Sequence, residues 1–166
     1  MSVYTLNTKL FGEIEITQSD GLVDDFEIIL GGKDMTITLN IFEDVATDIT
    51  IKTIENMLAN VPLMYEKGKN TILDGKETNG FIKFFIEQYL DDIDEFVEIF
   101  DIDSSDEITA AMIAEKLEPR GIVITNDNDG MIDCTFDFSL PEEYTDQLLV
   151  IHFNDKYEIF YITHES

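Results

Sequence analysis

The chain of 166 residues has one cysteine, three prolines, no tryptophan and only ten basic residues. The lone thiol, Cys134, excludes an internal disulfide and any cysteine-cluster metal site, and it fits a reducing compartment. Apolar residues nowhere run for the ~18 positions that a membrane span needs. Residues 1–30 also lack a basic stretch leading into an apolar one, so a cytoplasmic protein without a membrane partner is expected. Neither G-x-x-x-x-G-K nor G-x-G-x-x-G occurs, which leaves no phosphate cradle and no expected cofactor.

The shortage of bases has its own consequence. Ten Lys and Arg against thirty-six Asp and Glu give a net charge of −26. Residues 1–83 hold 7 bases and 14 acids, a net −7, whereas residues 84–166 hold 3 bases and 22 acids, a net −19. Between Phe84 and Glu115 no base interrupts the acids. Such a field repels phosphate backbones and anionic headgroups, which disfavours nucleic acid and membrane, and it attracts a basic protein or a cation. High charge also keeps a small protein soluble, and charge alone does not separate the two roles.

What is present is ample material for a core. Hydrophobic residues make up 44%, with twelve Phe and six Tyr, so the charge does not signal disorder. The length suits one α+β domain over residues 1–166, burying about two-thirds of its unfolded surface.

Alternation of period two predicts strands near 11–17, 24–30 and 34–42, with Met35, Ile37, Leu39 and Ile41 on one face and Gly31-Gly32 as a two-residue hairpin turn. From Asp48 the period changes, because Ile51, Ile54, Leu58 and Val61 recur at helical spacing until Pro62 interrupts or restarts the helix. A helix from about Asn79 presents Phe81, Phe84, Phe85 and Tyr89 as a core stripe. Residues 91–103 read as a short helix with an acidic outer face, and Ser104-Ser105-Asp106-Glu107 as a capping box opening a helix to about Leu117. Strands are expected again at 120–125, 131–138, 147–153 and 157–163. This order predicts an α+β fold: a mainly antiparallel sheet of about three N-terminal and four C-terminal strands, with the central helical segment packed on it.

Candidate chemistry is thin. Aligning Gly130 with the sixth position of a calcium loop puts Thr125 first and Phe136 twelfth, which removes the first ligand and the closing carboxylate, so a hairpin turn is expected. Cys134 with His152 or His164 as base would be the minimum for thiol acyl transfer, but alternation places Cys134 inward with Ile132, Phe136 and Phe138. The two histidines lack a third ligand at metal-site spacing. No catalytic or metal residues are assigned, and the chain is not expected to be an enzyme. The sharpest feature is the run 91–107, with nine acids and no base. It reads either as a solvated face or as a docking surface formed by Asp91, Asp92, Asp94, Glu95, Glu98, Asp101 and Asp103.

The order Phe11-Gly12-Glu13-Ile14, the Gly31-Gly32 hairpin, a helical middle and the closing Leu148-Leu149-Val150 through Ile162-Thr163-His164-Glu165-Ser166 resembles a bacterial domain-of-unknown-function family of small acidic proteins. The resemblance runs nearly the full length, and its matching residues look structural. Members of that family have been grouped with immunity proteins of polymorphic toxin systems. The resemblance thus implies an acidic protein-binding module that neutralises a cognate toxin, such as a basic nuclease, and it brings no catalytic residues. Charge would set the association rate, while affinity would need a desolvated anchor such as an exposed aromatic. The competing expectations are a hydrolase using carboxylates, which needs a cleft with two carboxyls of raised pKa, and a low-affinity cation-binding or general interaction protein. Oligomeric state is not legible.

Overall fold

In the computed structural model, which describes residues 2–18, 21–42, 47–126 and 129–166, eight strands and four helices run in the order ββββααααββββ. β1 (Ser2–Thr8) and β2 (Gly12–Gln18) form a separate antiparallel hairpin. β3 (Gly21–Leu30), β4 (Lys33–Phe42), β5 (Glu118–Asn126), β6 (Ile132–Ser139), β7 (Leu148–Phe153) and β8 (Ile159–Glu165) form a six-stranded sheet in that spatial order. The α+β class with a mainly antiparallel sheet is as expected. The strand count is not: β1 is an eighth strand, and β4 and β5 pair in parallel. Parallel pairing follows from the connection, since a chain that leaves β4 and re-enters beside it in the same direction needs a long crossover, here the whole helical segment.

Local chemistry explains the turns. Gly31 and Gly32 carry φ of 57° and 77°, which lets a two-residue loop join Leu30 to Lys33 in register. Thr8 closes the first hairpin, accepting from Phe11 N at 3.0 Å and donating to Gly12 O at 2.7 Å. Asp127 and Asn128, part of the calcium-loop alignment, lie outside the described residues, but β5 and β6 flank that position as an antiparallel pair.

α1 (Asp48–Ala59) is capped by Thr47, whose hydroxyl accepts from Thr50 N at 3.3 Å. α2 (Val61–Gly75) restarts after Asn60 with Pro62 in its first turn, where a missing N–H breaks no helical hydrogen bond. α3 (Gly80–Asp91) is capped by Asn79, whose side-chain oxygen accepts from Phe81 N and Ile82 N at 3.1 and 3.2 Å. α4 is only Ala110–Lys116, capped by Thr109 on Met112 N at 3.2 Å.

Two helical expectations are corrected. The expected helix over 91–103 is instead a pair of 3₁₀ turns, Ile93–Glu95 and Val97–Ile99, because Asp is a poor helix former and a continuous helix would set Asp91 against Glu95 and Asp94 against Glu98 at repulsive i,i+4 spacing. The helix expected from Ser104 begins six residues later. Ser104 caps only the 3₁₀ turn Ser105–Glu107, buried Ile108 then adopts extended backbone, and Thr109 takes over as cap.

The inner face of the sheet packs Ile37, Leu39, Ile122, Cys134, Phe136, Phe138, Leu149, Ile151 and Phe153 into one core with Ile54, Leu58, Met64, Ile72, Ile82 and Phe85 of the helices. The hairpin β1–β2 joins this core through Leu6 and Ile16, beside α1 and β3. Along the opposite face run Thr38, Thr125, Asp133, Thr135, Asp137, His152, Tyr161 and Thr163, which are partly or fully exposed. Among the described residues no helix is long and apolar enough to cross a membrane.

Candidate functional site

The segment that joins α3 to α4 is held from beneath and charged above. Phe96 and Phe100 are buried in the core, and Ile93, Val97, Ile99 and Ile102 are packed against it. The rings of Tyr89 and Phe96 meet edge to face at 5.0 Å. Six apolar side chains thus fix the backbone, and Asp91, Asp92, Asp94, Glu95, Glu98, Asp101 and Asp103 are all exposed. Among the described residues none of these seven forms an ion pair; Glu98 Oε2 accepts the Tyr144 hydroxyl at 3.5 Å. The result is a negative ridge with no ion pair to a base among the described residues, and only at its Asp101 end do bases, Lys33 and Lys116, line the adjoining groove.

At its far end the ridge borders a groove of about 500 Å³ lined by Lys33, Phe100, Asp101, Ile102, Met112, Glu115, Lys116 and Glu118. A second groove of about 230 Å³ shares Lys33, Lys116 and Glu118 and reaches Arg120. Arg120 is occupied structurally, donating to Ser139 Oγ at 2.7 Å, Leu140 O at 3.3 Å and Thr145 O at 2.6 Å.

The cysteine and histidines are not brought together. Cys134 is fully buried, and desolvation, then the charge of Asp133, pushes its thiol far above the usual range. His152 pairs with Thr135 and so faces the opposite side of the sheet. There its Nδ1 lies 3.8 Å from Asp133 Oδ2, the rings of Tyr161 and Phe160 lie 5.2 and 5.9 Å away, and its buried Nε2 has no hydrogen-bond partner among the described residues. His164 is on the helix side, with Nε2 against Gln147 Oε1 and its ring 5.4 Å from that of Phe85. Asp137 on the outer face has its carboxyl pushed up, first by burial and then by Glu165, with His152 and Arg120 pulling it back. Neither groove is lined by Asp137. Among the described residues no three His, Cys, Asp or Glu side chains are placed to hold a metal ion.

One expectation about the core fails where it bears on function. Phe85 and Tyr89 are buried as the stripe on α3 predicts, but Phe81 and Phe84 are 51% and 60% exposed. The buried stripe is Ile82, Phe85, Ile86 and Tyr89, an i, i+3, i+4, i+7 set that turns Phe81 and Phe84 outward. That competing register was present in the sequence beside the expected one, and packing against the rest of the core selects between them. Comparisons with protein-family models, with curated proteins and with solved structures return no match to this chain.

Proposed function

We propose that this protein is a binding module that docks a basic protein partner on the ridge of residues 91–103, and that it acts as an immunity protein, neutralising a cognate toxin by direct contact. The observation that supports this reading is the set of seven exposed carboxylates on a backbone held by buried Phe96 and Phe100, none of them in an ion pair among the described residues. Opposing charges draw partners together over distances near a Debye length, and carboxylates carried on a backbone already held by buried side chains add little backbone ordering to the cost of docking. A basic substrate cleft, such as a nuclease carries, is the complementary surface. The resemblance to the family grouped with immunity proteins points the same way, and it requires no catalytic residue of this chain.

The experiment is co-expression with candidate basic toxins drawn from the neighbouring genes, followed by binding of each purified pair over a range of salt. Neutralisation together with a complex that weakens as salt rises is the expected result. Candidates that all remain active in stoichiometric mixture with this protein sink the immunity assignment, and a complex indifferent to salt sinks the acidic interface.

A further inference from the structure

We propose that the flank where α3 runs along β8 is the apolar half of the same interface, and that it takes an extended, basic segment of the partner as an added strand against β8. This rests on the partner-binding reading above and supplies the anchor that charge alone does not.

The first observation is an open edge. β8 ends the sheet and pairs only with β7 among the described residues, so alternate backbone N–H and C=O groups of Tyr161–Glu165 face outward with no strand to meet them, while the register shifts at Phe160. Soluble proteins usually guard such an edge with Lys, Pro, inward-pointing charge or a β-bulge, and of these β8 has only the irregularity at Phe160, beyond which Tyr161–Glu165 pair regularly with β7. The other edge is guarded: β3 carries Asp24, Asp25 and Glu27 and contacts β2 of the N-terminal hairpin. Ile159 to Thr163 contains no charge and no proline.

The second observation is where the aromatic surface lies. Of five exposed aromatic side chains among the described residues, only Phe42 lies elsewhere; Phe81, Phe84, Phe160 and Tyr161 all belong to α3 and β8, at 51–60% exposure. They straddle the edge. Phe160 and Tyr161 flank His152 on the outer face, while Phe84 lies on the helix side with its ring 6.4 Å from that of His164. The surface beside Gly80, Phe81 and Phe84 is open, shallow and almost wholly apolar. An added strand directs successive side chains to opposite faces, so one set would meet Phe160 and Tyr161 and the other Phe81 and Phe84.

Charge identifies the occupant. Phe81, Phe84, Gln88 and Asp91 follow one another at i, i+3, i+7 and i+10 along α3, so Phe84 lies roughly 10 Å and Phe81 roughly 15 Å from the start of the acidic ridge. A segment seated on the flank is therefore beside uncompensated carboxylates and must carry Lys or Arg. A second copy of this chain is opposed, since each copy bears −26.

The test uses an end-capped peptide alternating Val and Lys, about one strand in length, and the same peptide N-methylated at alternate backbone amides, which keeps its charge but removes strand hydrogen bonding. Binding to the full chain is followed by amide chemical shifts and by exchange protection. The parent peptide should shift β8 and α3 and protect the outward amides of β8. N-methylation, and Phe81→Ala with Phe84→Ala, should each weaken it by about tenfold or more. Both replaced rings are exposed, so the thermal midpoint should hold and report folding independently. Equal affinity of the two peptides, indifference to the Phe variants, or shifts confined to residues 91–103 would overturn strand addition and leave the acidic reading standing. Binding that needs unmethylated amides but ignores salt would keep the strand site and remove the acidic ridge from the interface. Absence of any shift at millimolar peptide, or concentration-dependent dimerisation through β8, overturns the proposal outright.

Discussion

The hydroxyl of Tyr65 on α2 donates to Oε2 of Glu118, the first residue of β5, at 2.7 Å. Lys69, one turn further along α2, donates to Oε1 of the same carboxylate at 3.3 Å and to Leu117 O at 2.6 Å. Two side chains of one helix therefore pin the end of the crossover just where the parallel strand begins. Burial, and then the Glu118 carboxylate, pushes the Tyr65 phenol far above its ordinary range, which keeps it a donor. Tyr65→Phe should cost about 1 kcal/mol in denaturant unfolding, the worth of one hydrogen bond, because Lys69 still satisfies Glu118.

Gly31 extends that relationship to the β3–β4 hairpin. A Cβ there would collide with the Tyr65 hydroxyl, and the backbone holds φ at +57°. Gly31→Ala should thus cost about 1–3 kcal/mol from backbone conformation and crowding together. If crowding against the hydroxyl contributes, the loss should shrink in a Tyr65→Phe background. Strict additivity in the double-mutant cycle would show that only the backbone matters.

Cys134 is expected to label slowly with thiol reagents in the native protein and rapidly after denaturation, because desolvation suppresses the thiolate that reacts. Cys134→Ala should cost on the order of 1 kcal/mol through a small cavity beneath Phe136 and Phe153 and leave partner binding unchanged. Fast native labelling would revive a nucleophilic role for the sulfur.

Asp137 should give the protein a pH signature. Its carboxyl is raised in the folded state, so the protonated form is the better tolerated one. Its contribution to stability is fully present below the ordinary aspartate range and is lost as pH rises through the raised value. Asp137→Asn, which cannot ionise, should therefore gain stability relative to the parent as pH climbs from acid toward neutral. Denaturation curves collected across that range check this, and two curves that stay parallel would remove Asp137 as the cause.

Much of the sheet is legible because period-two alternation and turn glycines are local signals. Met35, Ile37, Leu39 and Ile41 do share the inner face, and Gly31-Gly32 does close a two-residue hairpin. β1 escaped because Tyr4 and Leu6 supply too short an alternation, although buried Leu6 is essential to its packing. The parallel register of Ile37 with Ile122 joins residues on opposite sides of the helical segment, and no local period encodes such a pairing. Gly68 shows the same limit. It reads as an ordinary helical residue, yet a Cβ there would lie 2.9 Å from the ring of Phe138, so the close approach of α2 to β6 depends on it. Exposure of the seven acids was legible from charge. The outward turn of Phe81 and Phe84 was not, because both rows of apolar residues on α3 look equally hydrophobic until a partner layer selects Ile82, Phe85, Ile86 and Tyr89.

The acidic ridge makes a kinetic prediction. Exposed charges mainly steer encounter, whereas buried contacts hold the complex together, so neutralising Asp91, Asp92, Asp94, Glu95 and Glu98 as their amides should slow association more than it speeds dissociation. At low salt the association rate should fall roughly tenfold or more, since steering of this kind raises on-rates by about 10–10³. At high salt the parent and the amide variant should converge, because a Debye length of about 3 Å at 1 M leaves little field beyond contact. Folding should be retained or improved, as the variant relieves repulsion between neighbouring carboxylates and breaks no ion pair among the described residues. The thermal midpoint measured beside the rates separates a steering effect from damage to the fold. Association that is salt-independent in the parent, and unchanged by the five amides, would leave residues 91–103 as a solvated surface and move the search for the interface to the aromatic flank.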